Sequence, residues 1–207
     1  VAIIGGGIGG MEIALLLKAR GHHPVIYEKS DVLGGVFIQG ANFPFKENDQ
    51  KLLKWYRREI KEKEIEVNFN TEITDITTLD ADEVIIATGS KPKTLPVKGF
   101  EKTIDATDYL SGAEVGENVV VIGGGLTGCE VAYDLILKGK KPVVVEMKND
   151  LIAVKGVCLA NSSFLREMLA YKKAPVYLNS VATEIRDDGV TIKDKDGKVT
   201  DIKADSV

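Results

Sequence analysis

A chain of 207 residues has room for one large domain or two small ones, and its apolar fraction of 44% is that of an ordinary globular protein. A formal net charge of −4 and a pI near 5.4 argue against a general affinity for nucleic acid or anionic membrane, both of which ask for a basic surface. No apolar run approaches the roughly 20 residues of a spanning helix and no signal or transit peptide is visible, while Cys129 and Cys158 are too few and too isolated for a disulfide framework or a four-cysteine metal or iron–sulfur site, so a reducing, cytoplasmic setting is expected.

In chain order, Val1–Ile4 is a short apolar run with no polar face, which suits a parallel strand covered on both sides. Gly5, Gly7 and Gly10 follow at once as G-x-G-x-x-G, with Ile8 and Gly9 inside the turn. The first glycine permits the tight turn, the second lets a pyrophosphate approach the backbone, and the third lets the helix pack close on the strand. The pattern predicts a helix over 11–20, with Ile13, Ala14, Leu16 and Leu17 available to the sheet and Gly21 as its stop. The start of that helix offers unpaired N–H groups and about half a positive charge to phosphate. His22 and His23 fall in the next turn and read as surface residues. Val25–Tyr27 is the second predicted strand and Glu28 ends it, placed to bind both ribose hydroxyls of an adenosine, with Lys29 beside it.

A helix near Asn48–Lys63 presents Leu52, Leu53, Tyr56 and Ile60 on one side. Its basic residues Lys51, Lys54, Arg57, Arg58 and Lys61 read as a solvated face, with docking against another domain as the functional alternative. Val84–Ala87 is a further strand, followed by Thr88 and Gly89. Residues 91–117, with Pro92, Pro96, Gly99, Gly112 and Gly116, read as a connection.

The opening unit then recurs. Residues 119–146 align with 1–28 without a gap and match at Val1, Ile4, Gly5, Gly6, Gly7, Gly10, Glu12, Ala14, Leu17, Gly21, Pro24, Val25 and Glu28. The second copy has a strand at Val119–Ile122, the glycines Gly123, Gly125 and Gly128 with Leu126 and Thr127 between, a helix from Cys129 to Lys138, a stop at Gly139, a strand at Val143–Val145, and Glu146. One such unit holds one adenine dinucleotide, so two suggest electron transfer between two of them. A carboxylate at Glu146 repels a 2′-phosphate, which favours NAD over NADP, although Lys148 close by softens that choice. Cys129, at the start of the second helix, reads as a small packed residue; the alternative is a thiol activated by that helix terminus. Ser162 and Ser163 lack a nucleophile elbow and a base. Asp188-Gly189 and Asp196-Gly197 predict an antiparallel meander, roughly 182–186, 190–193 and 199–203, over the second parallel sheet. Residues 204–207 echo 81–84, which lead into a strand, and Val1 is not an initiator methionine, so the chain reads as a piece of a longer protein.

These features resemble the two-dinucleotide flavoprotein reductases. In that family the first unit binds FAD and the second, inserted into it, binds NAD(P)H. The glycine in Leu33-Gly34-Gly35 and the strand ending Ala87-Thr88-Gly89 match the FAD half, and the position corresponding to Gly35 in the second half is Ala153. The resemblance implies an α/β fold of two Rossmann-like three-layer domains, 1–103 for FAD and 104–207 for NAD(P), C-terminally truncated and retaining flavin less well than the parent. It also implies a nicotinamide-side place for Glu130, with weaker support for Glu12. Disulfide reductases of this superfamily need two nearby cysteines beside the flavin, and the run Val36-Phe37-Ile38-Gln39-Gly40 after Gly35 holds none. The stretch Asn42-Phe43-Pro44-Phe45-Lys46 and the helix around Leu52-Leu53-Lys54-Trp55-Tyr56 further resemble the module of the 2-enoate reductase, 2,4-dienoyl-CoA reductase and trimethylamine dehydrogenase group. That implies hydride transfer from NADH to FAD, and an N-terminal barrel partner carrying FMN and a 4Fe-4S cluster and reducing activated carbon–carbon double bonds. The alternative is a structural module holding ADP. No catalytic residue or metal ligand is assigned in this chain; no nucleic acid or membrane partner is expected, and self-association of the parent stays open.

Overall fold

The computed structural model describes all residues 1–207, which divide into two compact units, Val1–Lys91 and Pro92–Val207. The first unit runs β1 (Ala2–Ile4), α1 (Ile8–Ala19), β2 (Val25–Tyr27), α2 (Phe37–Gly40), α3 (Glu47–Glu62), β3 (Glu66–Asn68) and β4 (Val84–Ile86). Its strands form one parallel sheet in the order β3-β2-β1-β4, and Ile3 pairs with Ile26 on one side and Ile85 on the other. Ile3 and Ile26 are fully buried with Met11, Ala14, Leu53, Tyr56 and Ile60, which places α1 and α3 against the sheet. The apolar strands β1 and β2 follow from this central place in the sheet, whereas the edge strand β3 carries Glu66 and Asn68. The Tyr56 hydroxyl ties α3 to α1 by donating to Glu12 at 2.8 Å.

The second unit runs α4 (Ala106–Leu110), β5 (Asn118–Ile122), α5 (Leu126–Leu137), β6 (Lys141–Val145), α6 (Leu159–Tyr171), β7 (Val176–Tyr177), β8 (Ser180–Arg186), β9 (Gly189–Asp194) and β10 (Val199–Lys203). Strands β5-β6-β7 are parallel, and β10-β9-β8 form an antiparallel meander. The two-residue period of β6 sorts its side chains between layers. Val144 packs with Ala132, Tyr133, Leu165 and Leu169 of the helices, and Val145 packs with Ile185, Val190, Ile192 and Ile202 of the meander. A buried polar tie fixes α4 to α5: the Tyr109 hydroxyl and the Lys138 ammonium both donate to Asp134, at 2.6 and 2.7 Å. No helix is long and apolar enough to cross a membrane.

Several expectations are adjusted. Helices α1 and α5 begin at Ile8 and Leu126, three residues earlier than propensity suggests, because the extended backbone of Gly7 and Gly125 leads straight into the first turn. Leu52 lies on the exposed side of α3; the buried stripe is Leu53, Tyr56 and Ile60, whose spacing of three and four residues defines one face. The compact units separate at Lys91/Pro92 rather than after residue 103, and 91–117 is more than a connection. Val97 and Phe100 join the core around Ile185, whose N–H donates to the Lys98 carbonyl at 2.8 Å, and Ile104 N donates to Val207 O at 2.8 Å. The predicted echo of 81–84 at 204–207 has a backbone counterpart: Val120 N donates to Ser206 O at 3.0 Å as Ala2 N donates to Glu83 O at 2.9 Å.

Candidate functional site

Each unit carries one cradle where a parallel strand turns into a helix. The three motif glycines have different reasons to be there. A Cβ on Gly10 would lie 1.9 Å from Gly5 O, and one on Gly128 would lie 1.8 Å from Gly123 O, so the third glycine is what lets the helix rest on the turn. Gly5 and Gly123 have φ of +105° and +108°, a region side chains rarely adopt. Gly7, Gly9 and Gly125 have nothing within 4 Å of a Cβ position, so the turn is open there. The first-turn amides of α1 (Ile8, Gly9, Gly10) and α5 (Leu126, Thr127, Gly128) have no intrahelical acceptor by construction, and they border that open space. Gly7 and Gly125 cap their helices with no side-chain hydrogen bond, which leaves the N-terminal amides to an anion.

The acids close the other side of each cradle, and both are buried. Glu28 accepts from Gly6 N at 2.7 Å through Oε2, and from Ser30 N and Ser30 Oγ at 2.8 Å through Oε1. Glu146 accepts from Gly124 N at 2.5 Å and Lys148 N at 2.7 Å. A carboxylate has about four acceptor sites, so Glu146 keeps room for two ribose hydroxyls and Glu28 for one. The Ser30 hydroxyl frees a second place on Glu28 if it turns to its other acceptor, Val32 O at 2.9 Å. Burial raises the Glu28 pKa, but the donors from Ser30 and Gly6 together with the Lys29 charge outweigh it and hold the carboxyl below its ordinary value.

A third layer lies beyond the motif itself. Leu33 and Leu151, again 118 apart, cover Gly6 and Gly124: a Cβ on those glycines would meet the leucine Cδ2 at 2.4 and 2.5 Å. The residue after each leucine is stapled to the turn, Gly34 N to Gly6 O at 2.8 Å and Ile152 N to Gly124 O at 2.7 Å. Each leucine carbonyl is gripped by an arginine. Arg57 Nε and Nη2 donate to Leu33 O at 2.9 and 2.6 Å, and Arg166 Nε and Nη2 donate to Leu151 O at 3.0 and 2.7 Å. Arg57, expected on a solvated face, is instead half-buried and committed to this carbonyl. Extending the internal alignment five residues past the acids would have found the leucines. The arginines sit 109 apart and escape an ungapped comparison.

The remaining candidates are placed as follows. Gly35 has φ +54° and lies against Gly7, 3.3 Å from its Cα to the Cβ position. Ala87 O stands 2.4 Å from a Cβ on Gly5, so the Ala87-Thr88-Gly89 segment passes directly beside the first turn, with Thr88 and Gly89 exposed. Lys29 and Thr127 are exposed, and Ile8 and Leu126 are half-buried and pack on their cores. Glu130 is buried in α5, whereas Glu12 on α1 is exposed. The Lys148 ammonium donates to Ala153 O at 3.1 Å. His22 and His23 are exposed.

Cys129 occupies the position of Met11 in the first copy, and both are fully buried. Burial first, then the charge of Glu146, pushes the thiol up to about 12, so the packed reading holds and activation by the helix terminus does not occur. In a native thiol titration at neutral pH, the exposed Cys158 should react promptly and Cys129 only after unfolding. Two fast thiols would contradict this burial.

Residues 1–207 match the family described as pyridine nucleotide-disulphide oxidoreductase. The chain is 39% identical over 210 residues to cinnamate reductase of Clostridium sporogenes, covering 100% of this chain and 31% of that protein. It is 35% identical over 218 residues to NADH oxidase of Thermoanaerobacter brockii, covering 100% of this chain and 33% of that one. A solved 2-naphthoyl-CoA reductase complex superposes with a TM-score of 0.88 at 32% identity, covering 100% of this chain and 32% of that one. Histamine dehydrogenase from Rhizobium sp. 4-9 shares the fold at a TM-score of 0.79 and 21% identity. The chain thus spans about a third of the length of the relatives it matches. With the duplicated glycine turns and their acids, this full-length match makes the chain a member of the pyridine nucleotide-disulphide oxidoreductase family.

Proposed function

We propose that the chain is the coenzyme-binding part of a larger flavin-dependent oxidoreductase, in which the first unit holds FAD and the second holds NADH. The observation that carries this is the paired cradle: in each copy the third glycine has no room for a side chain, while the second faces open space where a pyrophosphate would fit. When bound, the coenzymes supply hydride transfer from the nicotinamide to the flavin.

The chain's own residues bind and orient. The amides of Ile8, Gly9 and Gly10 and of Leu126, Thr127 and Gly128 hold phosphate oxygens. Glu28 and Glu146 accept from ribose hydroxyls. Lys29, Gly35, Ala87, Thr88 and Gly89 complete the flavin side, and Glu130 the nicotinamide side. Gly5 and Gly123 shape the turns. The buried Glu146 carboxylate disfavours a 2′-phosphate, which supports NADH over NADPH, and the Lys148 ammonium is engaged with Ala153 O. In the parent, an N-terminal barrel with FMN and a 4Fe-4S cluster would pass the electrons on to an activated carbon–carbon double bond, in keeping with the name of the cinnamate-reducing relative. A cytoplasmic setting belongs to the same reading, supported by the two free thiols.

Visible absorbance of the purified protein tests this. Yellow protein whose flavin band bleaches on anaerobic addition of NADH is the expected result. Colourless protein carrying ADP would instead establish the structural nucleotide-binding role, because the cradles address only the adenosine diphosphate.

A further inference from the structure

The two arginines are the least explained part of the cradles. They lie on helices of different length, at positions that the internal repeat does not relate, 57 and 166. Yet both deliver a guanidinium, through the same two nitrogens, to the carbonyl of the equivalent leucine. Each fork thus holds two N–H groups on one oxygen, a geometry that a planar guanidinium supplies and an ammonium does not.

What they hold is the corner that shapes the acid site. In each copy the gripped leucine lies on the middle glycine, and that glycine's N–H is a hydrogen-bond donor to the acid. The next residue is bonded back to the same glycine's carbonyl. Leucine, glycine and carboxylate are therefore tied together, and the arginine holds the outer end of that chain of contacts. In the second copy the anchor also restrains a costly backbone. Ile152 is β-branched and sits at φ +50°, where its counterpart is Gly34, and Arg166 also reaches Ile152 O at 3.4 Å.

From this we infer that Arg57 and Arg166 are positioning residues, each holding the acid of its own cradle where the adenosine ribose is received. The inference rests on the coenzyme reading above, and it adds residues that do not touch the coenzyme. Without the guanidinium the leucine carbonyl loses its partners, the corner loosens, and the acid must be ordered again on binding.

The test uses Arg57→Gln, Arg166→Gln, Arg57→Lys and Arg166→Lys in the complete chain. Hydrogen exchange without ligand reads the amides of Gly34 and Ile152, and fluorescence titration reads FAD and NADH. The Arg166→Gln protein should lose protection at Ile152 and bind NADH about tenfold more weakly, the scale of one lost hydrogen bond, with FAD affinity within about twofold. Arg57→Gln should do the converse, with the smaller exchange change because Gly34 carries no side chain. The lysine variants should fall between wild type and glutamine. Equal weakening of both coenzymes by each variant would show a merely structural role and overturn the inference, as would intact affinity despite lost protection. A wild-type chain that binds neither dinucleotide overturns the coenzyme reading itself, and the positioning role of the two arginines falls with it. The exchange data then still decide whether the anchors hold the corners.

Discussion

Gly10→Ala and Gly128→Ala should each destabilise their own unit by at least about 3 kcal/mol, the upper range for forcing an extra methyl into a packed site. The added carbon would stand 1.9 or 1.8 Å from a backbone oxygen of the turn, and neither partner is a flexible side chain that could move aside. Relief requires lifting the whole helix off the strand, which opens the layers around Met11 or Cys129. Gly7→Ala and Gly125→Ala are the contrasting pair. Their backbone is ordinary, with φ of −70° and −71°, and their Cβ positions are empty. Thermal unfolding should show those two proteins within about 1 kcal/mol of wild type, because the entropy gained by alanine at a compatible glycine is set against its poorer helix capping. Coenzyme titration should show affinity falling at least about tenfold, because the methyl takes the place proposed for phosphate. Equal stability losses for both pairs would mean that the glycines serve the fold alone.

Glu28→Gln should lower the stability of the first unit by about 2 kcal/mol, despite being nearly isosteric. Both carboxylate oxygens accept, Oε2 from Gly6 N and Oε1 from Ser30 N and Oγ. A glutamine amide has one oxygen, so its NH2 must face a backbone N–H in either orientation, the buried one of Gly6 or the part-buried one of Ser30. The wild-type carboxyl has a pKa below its ordinary 4.5, burial being outweighed by these donors. A lowered folded pKa means that the carboxylate contributes its full stability above about pH 4.5 and loses it as pH falls through the folded value. Urea unfolding between about pH 7 and about pH 3 should therefore show the gap between wild type and Glu28→Gln narrowing in the acid range. A gap that stays constant would remove the proton-linked part of the argument. Flavin affinity should fall in the same variant.

The fold is legible in the sequence where local chemistry and tertiary context agree. The glycine turns, the parallel strands and the meander hairpins all follow from short-range rules, because Gly5, Gly10 and their counterparts admit no other residue easily and short apolar runs between turn signals read as strands. The helix starts are not, because glycine-rich first turns have poor propensity, and the turn geometry overrides it. Leu52 falls on the wrong side because a helix stripe is decided by a shift of one residue, about 100° of rotation. Of the candidate site, the motif glycines and acids are visible from their spacing. The arginine grips are not, since a long side chain reaching a carbonyl leaves no periodic trace, and the Tyr109 bond to Asp134, which joins two helices, is hidden for the same reason.

The segment through Lys98 and Gly99 runs along β8, with Lys98 bridged in parallel to Glu184. A Cβ on Gly99 would fall 1.9 Å from Ile185 O, so the strap can lie that close only because the residue has none. Its effect is protective. An outer strand with unsatisfied amides is a template on which other molecules stack, and the strap takes up one of those amides, Ile185 N on Lys98 O. A stretch of chain that composition alone marks as a spacer is thus part of the edge of the second unit, and a generic flexible tether in its place should leave that amide open to other strands.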